Sequence, residues 1–354
     1  MIILENISLA PFTTLGIGGP ASHYAEVTSV PSLLAGVAWA KSQGVPLFVL
    51  AGGSNIVVSD AGFRGLILRL SIRGIETRFD SGEVFVTAGA GEEWDPLVEM
   101  SVQNKWAGIE CLSGIPGRVG ATPIQNVGAY GQETSESFVS LEAFDTRTGE
   151  STHLSREDCG FGYRASRFRT RDSGRFIITS VTYRLTVNGK PSVRYEELTR
   201  YLDERGIREP DLADVRQAVL ALRRRKAMVV DPNEPDSRSV GSFFMNPVVS
   251  PEELEQIKRR ALKISSDNNQ MPSYPMPSGD VKLSAAWLIE NAGFKRGYVR
   301  GGVGTSSRHS LAIINRGNGT AREVLELAEQ IRSSVAKWFG VNLSPEPIFV
   351  GFEM

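Results

Sequence analysis

The segment Gly108-Ile-Glu-Cys-Leu-Ser-Gly-Ile-Pro-Gly-Arg-Val-Gly-Ala-Thr-Pro-Ile-Gln-Asn-Val-Gly-Ala-Tyr-Gly131 carries glycine at 108, 114, 117, 120, 128 and 131. That is too many for a helix interior or a central strand, because each glycine gives up backbone entropy when fixed. The segment therefore reads as fitting no regular element, yet it is almost uncharged. An apolar loop belongs in the interior, where its backbone N–H groups need partners. A bound ligand rich in acceptors would supply them. A second bend, Ala51-Gly-Gly-Ser-Asn55, follows the apolar run Pro46–Leu50. Its glycines allow a sharp turn and close approach, and Ser54 and Asn55 add donors for phosphate oxygens. Alone it is an ordinary turn; with the longer loop it reads as a pyrophosphate site.

The standard nucleotide signatures are missing. Gly16-Ile-Gly18-Gly19 and Gly89-Ala-Gly91 come nearest to a Rossmann fingerprint, and neither completes Gly-x-Gly-x-x-Gly. There is no phosphate-loop lysine motif, no nucleophile elbow and no CxxC, and His23, His153 and His309 are too far apart for a local zinc pair. A nucleotide cofactor would be held by another architecture, and no metal is expected.

Composition narrows the class. The 354 residues include 39 basic and 40 acidic side chains, a net charge of −1 that excludes a basic nucleic-acid footprint. With 41% hydrophobic and 22% charged residues, the chain is an ordinary globular protein. At roughly 100–200 residues per domain it holds two or three domains. Two cysteines, Cys111 and Cys159, make no disulfide framework and point to a reducing compartment. The start lacks a basic, then apolar, leader, and no apolar run approaches ~18 residues, so the cytoplasm is expected and a membrane span is not.

Working outward, Ser29 can cap a helix with Pro31 in its first turn and Gly44 at its end. Strands are expected at 46–50, after 55, at 65–68 and at 84–87. A helix over 92–103 would bury Trp94, Leu97, Val98 and Val102. A β-rich stretch after 140 has its clearest alternation at 176–185. An amphipathic helix over 211–226 ends in Arg223-Arg-Arg-Lys226, and the polar loop 231–240 marks a boundary. Beyond it the pattern predicts a helix (251–263), a loop (266–279), a helix (281–292), a Gly-rich turn, a strand (310–315), a helix (320–338) and a strand (348–351).

Several residues stand where chemistry would need them. Arg164, in Cys159-Gly-Phe-Gly-Tyr-Arg-Ala-Ser, is a cation that does not deprotonate and can grip a carboxylate with two donors; a surface arginine is the plainer reading. Ser242, in Gly241-Ser-Phe-Phe-Met-Asn-Pro247, has no nearby histidine to make it a nucleophile but can serve as a proton donor, or simply as a cap. Glu346 is aimed by Pro345 and Pro347, or sits in an exposed acidic loop. Lys226, with the basic helix end before it, and Lys282 can hold a diphosphate, though cations at a helix end equally suit its dipole. Tyr195 and Tyr274 lie in loop-like contexts, and His309, beside a Gly-rich turn, is as readily a structural histidine as a contact residue.

Taken together, six motifs closely resemble the UDP-N-acetylenolpyruvoylglucosamine reductase (UDP-N-acetylmuramate dehydrogenase) family: Ala51-Gly-Gly-Ser-Asn, Gly114-Ile-Pro-Gly, Gly120–Gly131, Tyr163-Arg-Ala-Ser, Gly241–Pro247 and Ser344-Pro-Glu-Pro. The likeness runs from Phe12 to Gly351. Arg194-Tyr195-Glu-Glu-Leu resembles the form of the family whose tyrosine loop closes over the substrate. The resemblance implies a mixed α+β and α/β architecture. A two-subdomain FAD-binding domain of the vanillyl-alcohol-oxidase (PCMH) type would span 12–187, with subdomains of about 1–75 and 76–225. A C-terminal α+β substrate-binding domain would follow over 226–345, with 346–354 returning to the FAD domain.

The family reading implies noncovalent FAD on Gly52, Gly53, Ser54 and Asn55, on Gly114, Ile115, Pro116 and Gly117, and on Gly120, Ala121, Gln125, Asn126, Gly128, Ala129, Tyr130 and Gly131. NADPH would be the electron donor, sharing one pocket with the substrate in a ping-pong cycle. In this reading hydride would pass from reduced FAD to C3 of the enolpyruvyl ether of UDP-N-acetylglucosamine, and Ser242 would protonate C2. Arg164 would stabilise the charge that spreads into the substrate carboxylate, and Glu346 would hydrogen-bond the same group as a neutral acid. Lys226, Asn246, Tyr274 and Lys282 are the UDP-sugar candidates, Tyr195 the loop clamp and His309 a further substrate-side residue. The expected partners are the UDP-sugar and NADPH, with no nucleic acid and no obligate protein partner. The alternatives are a flavin oxidase of the same fold and a noncatalytic binding module.

Overall fold

The computed structural model describes residues 1–262, 271–276 and 278–352. The chain divides into two compact units. The first comprises Met1–Ile7, Ala21–Gly53 and Arg64–Val229; the second comprises Ser8–Pro20, Ser54–Phe63 and Val230–Met354.

In the first unit a four-stranded sheet runs in the order Leu4–Ser8, Pro20–Val27, Phe63–Leu70, Leu47–Leu50. Its last pair is parallel, with Leu47 opposite Leu66, and helix Val30–Gln43 lies between the strands in sequence. That helix begins as the sequence predicts: Ser29 Oγ accepts the Ser32 N–H while the Ser32 hydroxyl accepts the Ser29 N–H. A cap of this kind is worth about 1 kcal/mol. Gly44 ends the helix at a φ of 66°.

The second sheet of this unit is antiparallel, ordered Glu150–Ser155, Phe138–Asp145, Phe176–Val187, Glu83–Gly89, Ile75–Asp80. The alternation read at 176–185 is real: Val181, Tyr183 and Leu185 are buried against Val84, Val86 and Ala88. Helix Trp94–Gln103 buries the four residues expected of it, Trp94, Leu97, Val98 and Val102. Each fully buried large apolar side chain contributes roughly 1.5–3 kcal/mol. Trp94 also acts as a strut, its Nε1–H bonding the Leu112 carbonyl at 3.1 Å.

The second unit is built around helix Ala321–Phe339, which buries Val324, Leu327, Ile331, Val335 and Phe339. Thr320 and Glu323 cap it, and the Asp60 carboxylate accepts the Ala321 and Arg322 N–H groups at 2.7 and 2.9 Å. An acidic group there suits the positive end of the helix dipole. Strand Ile348–Val350 pairs in parallel with Ile56–Val58. Two three-stranded sheets complete it, one of Val248–Val249, Val281–Leu283 and Ser273–Pro275, the other of Val299–Arg300, Val303–Thr305 and Ile313–Asn315.

The structure corrects several sequence expectations. The helix placed over 281–292 is strand Val281–Leu283 followed by helix Ala285–Asn291. Ser284 divides them, its hydroxyl accepting the Trp287 N–H as a cap, and Val281 and Lys282 pair with Val249 and Val248. Strand 310–315 shortens to Ile313–Asn315, and Tyr274 lies on a strand rather than in a loop. The expected loop at 266–270 and 277, and residue 263 of the expected helix, fall outside the described residues. No helix among the described residues is long and apolar enough to cross a membrane.

Both cysteines are free and buried. Burial pushes each thiol up to about 12, and only the thiolate is nucleophilic. The native protein is therefore expected to leave a thiol–disulfide reagent untouched at mildly alkaline pH, with both cysteines reacting after denaturation. Rapid reaction of either in the native state would contradict this burial.

Candidate functional site

The two glycine-rich bends meet backbone to backbone in the first unit. A Cβ on Gly52 would stand 2.6 Å from the Gly117 Cα, and Gly117 itself has a φ of 129°. No side chain fits at either position. A Cβ on Gly120 would come within 2.5 Å of the Ala90 Cβ, so this stretch lies against the strand end as well. Asn126 and Tyr130 adopt left-handed φ values of 47° and 48°, and Tyr130 is partly buried. Glycine at these positions is what lets the two backbone segments pack against each other.

The segment is more ordered than its composition implied. Glu110–Leu112 and Val119–Ala121 form single tight turns, and Gly128–Ala129 pairs with Gln132–Glu133. Much of its backbone demand is met internally, which corrects the expectation that a ligand must supply those partners. Val119 and Gly120 donate to the Glu92 and Ala90 carbonyls at 2.9 and 3.0 Å, Val127 donates to Thr122 at 3.0 Å, and Gly117 accepts from the Trp94 N–H at 3.1 Å.

Gly114 donates to Asp95 Oδ1 at 2.6 Å. Asp95 is in turn gripped by both nitrogens of the Arg216 fork, at 2.6 and 2.9 Å. Burial alone would raise the Asp95 carboxyl, but the Arg216 and Gly114 hydrogen bonds and the charges of Arg216 and Arg223 outweigh it and hold it below its ordinary value. Its stabilising contribution is present above the unfolded carboxylate range near pH 4 and is lost as pH falls below it.

Gly52→Ala tests the packing of the two bends. Overpacking of this kind costs about 1–3 kcal/mol of folding stability. The variant is expected to melt at a lower temperature than the wild type; an unchanged melting temperature would contradict the close approach of the two bends.

Arg164 occupies a four-residue turn closed by Gly162 N–H to Ala165 O at 3.0 Å and Ala165 N–H to Gly162 O at 3.1 Å. Its φ of 51° is unusual for a side chain of this size, a strain that costs of order 1–3 kcal/mol. Arg164 Nη2 donates to the Gly128 carbonyl at 2.6 Å. Asn126 Nδ2 ties the same turn to the glycine-rich segment through the Gly162 carbonyl at 3.1 Å. Arg164 is half-buried, and its bond to Gly128 fastens it to the glycine-rich segment. Gln125 accepts from Arg169 at 2.7 Å nearby.

Lys226 ends helix Leu212–Arg225 and bonds Glu197 at 2.6 Å, with its Nζ 5.8 Å from the Tyr130 ring. The Tyr130 and Tyr195 rings meet edge to face at 5.5 Å. Tyr195 lies in a loop, as expected, and is its last residue, extended and capping helix Glu196–Asp203. Tyr195, Tyr130 and Lys226 thus form one group within the first unit.

The second unit holds the other candidates. Gly241, at a φ of 77°, presents Ser242 ahead of Phe243 and Phe244, both fully buried. The Phe243 carbonyl accepts the Glu346 N–H at 2.9 Å and Met245 donates to Ser344 at 3.0 Å, so the Ser242 and Glu346 segments run side by side. Asn55, expected to face the cofactor, also clamps this pair: its Nδ2 donates to the Glu346 carbonyl at 3.3 Å and its own carbonyl accepts the Ile348 N–H at 3.0 Å. The turn headed by His309 lies against them, since the Leu311 carbonyl accepts the Phe243 N–H at 2.8 Å. Asn246 Oδ1 accepts the Ala285 N–H at 3.0 Å. Tyr274 and Lys282 are direct cross-strand partners, with the ammonium 5.8 Å from the ring.

Sequence reasoning missed Asp95, Arg216, Glu110, Gln132 and Glu197. Asp95 and Arg216 are 121 residues apart, a distance at which spacing carries no signal. Glu110 offered a hint, as a carboxylate in a stretch otherwise nearly free of charge.

Comparison with known proteins agrees with this geometry. Residues 232–350 match the family model described as UDP-N-acetylenolpyruvoylglucosamine reductase, C-terminal domain, and residues 21–155 match an FAD binding domain. The UDP-N-acetylenolpyruvoylglucosamine reductase of Thermobifida fusca is 46% identical over 353 residues, 98% of each chain. That of Saccharopolyspora erythraea is 44% identical over 349 residues, 97% of this chain and 94% of its own. The crystal structure of UDP-N-acetylenolpyruvylglucosamine reductase from Thermus caldophilus shares the fold with a TM-score of 0.66 at 24% identity, covering 99% of this chain and 100% of its own. With a PCMH-type FAD-binding domain followed by the reductase C-terminal domain, the chain belongs to the UDP-N-acetylenolpyruvoylglucosamine reductase family of flavin-dependent oxidoreductases.

Proposed function

We propose that this chain reduces the enolpyruvyl ether of UDP-N-acetylglucosamine enolpyruvate to UDP-N-acetylmuramate with NADPH as electron donor. The observation that carries the reading is Arg164, strained into a left-handed turn and fastened to the Gly128 carbonyl of the glycine-rich segment at 2.6 Å. A flavin oxidase acting on a sugar alcohol has no need of a fixed cation there.

Bound noncovalently, FAD reduced by NADPH supplies the hydride for the terminal carbon C3. Arg164 faces the substrate carboxylate with its guanidinium and stabilises the charge that spreads into it. Glu346 hydrogen-bonds the same carboxylate, its direction set by Pro345 and Pro347. Ser242 gives its proton to C2, a base far stronger than an alkoxide, and solvent restores it. Tyr195 and Lys226 hold the sugar nucleotide, with Tyr195 as the closing tyrosine of the family's looped form. Asn246, Tyr274, Lys282 and His309 are its further binding residues.

The test is steady-state turnover with product analysis. NADPH oxidation should depend on the enolpyruvyl sugar nucleotide, and the product should gain one hydride and one proton. Oxygen uptake with a sugar alcohol, and no NADPH oxidation, would favour the oxidase reading and overturn this one.

A further inference from the structure

The peptide that leads into Tyr195 is bolted to the glycine-rich segment by a buried carboxylate. Glu110 is 1% exposed. Its Oε1 accepts the Ser192 N–H at 2.7 Å and its Oε2 accepts the Gly108 N–H at 2.8 Å. The other side of the same peptide is held too: the Cys111 thiol donates to the Ser192 carbonyl at 3.1 Å. Gln132 closes the circuit, accepting the Cys111 N–H at 2.9 Å and donating to Glu110 at 3.4 Å. Two residues beyond Ser192, Arg194 bonds the Ser192 hydroxyl at 2.9 Å and pairs with Glu136.

Both ends of the flavin-side segment therefore grip one short stretch. Residues 108–111 hold Ser192, while Tyr130 packs on Tyr195 and Gly131 lies close enough that a Cβ there would stand 3.5–3.6 Å from Arg194 and Tyr195. Leu198 and Leu202, on the helix that follows, are buried in one cluster with Cys111 and Leu222. A buried carboxylate is costly unless donors satisfy it, and here those donors are the backbone of the two segments it joins.

We propose that Glu110 is a positioning residue which, with the Cys111 thiol, clamps the Ser192 peptide to the flavin-side segment and so sets where Tyr195 stands over the substrate. The proposal rests on the function inferred above for Tyr195. It deepens that reading: order in the tyrosine segment is coupled to order in the flavin-side segment, so each favours the other.

The decisive variant is Glu110→Gln in the FAD-loaded enzyme. The amide keeps size and polarity but turns a donor toward one of the two N–H groups, leaving it without an acceptor. Loss of one such charge-assisted bond corresponds to about tenfold, so KM for the enolpyruvyl sugar nucleotide should rise about tenfold with kcat changed less than about threefold. Hydrogen exchange over residues 190–198 should accelerate about tenfold while strand Phe176–Val187 keeps its protection. Cys111→Ala, which releases only the carbonyl side, should move both readouts the same way by less, and it decides the matter alone if Glu110→Gln does not fold.

Wild-type exchange over 190–198 in a folded variant would overturn the clamp. So would accelerated exchange accompanied by a fall in kcat with KM unmoved. A wild-type enzyme with no activity on the sugar nucleotide would instead defeat the functional reading, and the exchange data would still decide the clamp.

Discussion

Turnover of the enolpyruvyl sugar nucleotide by Ser242→Ala enzyme is expected to fall about 10²–10⁴-fold, the range for loss of a positioned general acid. The frame around Ser242 does not depend on its hydroxyl. Phe243 is anchored through its N–H to the Leu311 carbonyl at 2.8 Å and through its own carbonyl to the Glu346 N–H at 2.9 Å, and its ring is fully buried. Removing one oxygen therefore leaves the Glu346 segment in place. The two half-reactions should separate in rapid-mixing experiments, with flavin reduction by NADPH retained and reoxidation by the enolpyruvyl substrate slowed. Turnover within about threefold of wild type would remove Ser242 from the chemistry.

Arg164→Met is expected to lower kcat by about 10²–10³-fold, the scale for losing a preorganised donor to a developing negative charge. Arg164→Lys should recover little of this. The guanidinium donates to the Gly128 carbonyl at 2.6 Å and, in the proposed mechanism, grips the substrate carboxylate from the same fixed plane. An ammonium is a point charge on a flexible stem and cannot serve both with one geometry. The φ of 51° at this position is carried by methionine and lysine alike, so backbone strain is held constant across the series. Equal kcat for Arg164→Lys and wild type would show that charge alone suffices and would contradict the bidentate role.

What the sequence disclosed was what local physics controls. That the two bends need glycine was legible, and the structure shows one reason: only glycine tolerates the approach of Gly52 to Gly117, at 2.6 Å for a would-be Cβ. The helix at 94–103 was legible because its apolar residues fall on one face, and the Ser29 cap because a hydroxyl there competes for a free N–H. Chemistry carried across the chain was not. Glu110 and Ser192 are 82 residues apart, and their bond uses a backbone group that every residue type offers. The helix drawn through 281–283 failed for a related reason: Val-Lys-Leu suits either state, and pairing with Val248–Val249 decided it. The helix after Tyr195 did leave a signal that went unread, the acidic first turn Glu196-Glu197.

The most direct test follows the visible spectrum of the purified protein under anaerobic conditions. The protein is expected to retain or take up FAD and show the flavin absorption band, to lose that band on addition of NADPH, and to regain it when the enolpyruvyl sugar nucleotide is added without oxygen. A colourless protein that takes up no FAD, or a bleached one restored only by air, would contradict the account.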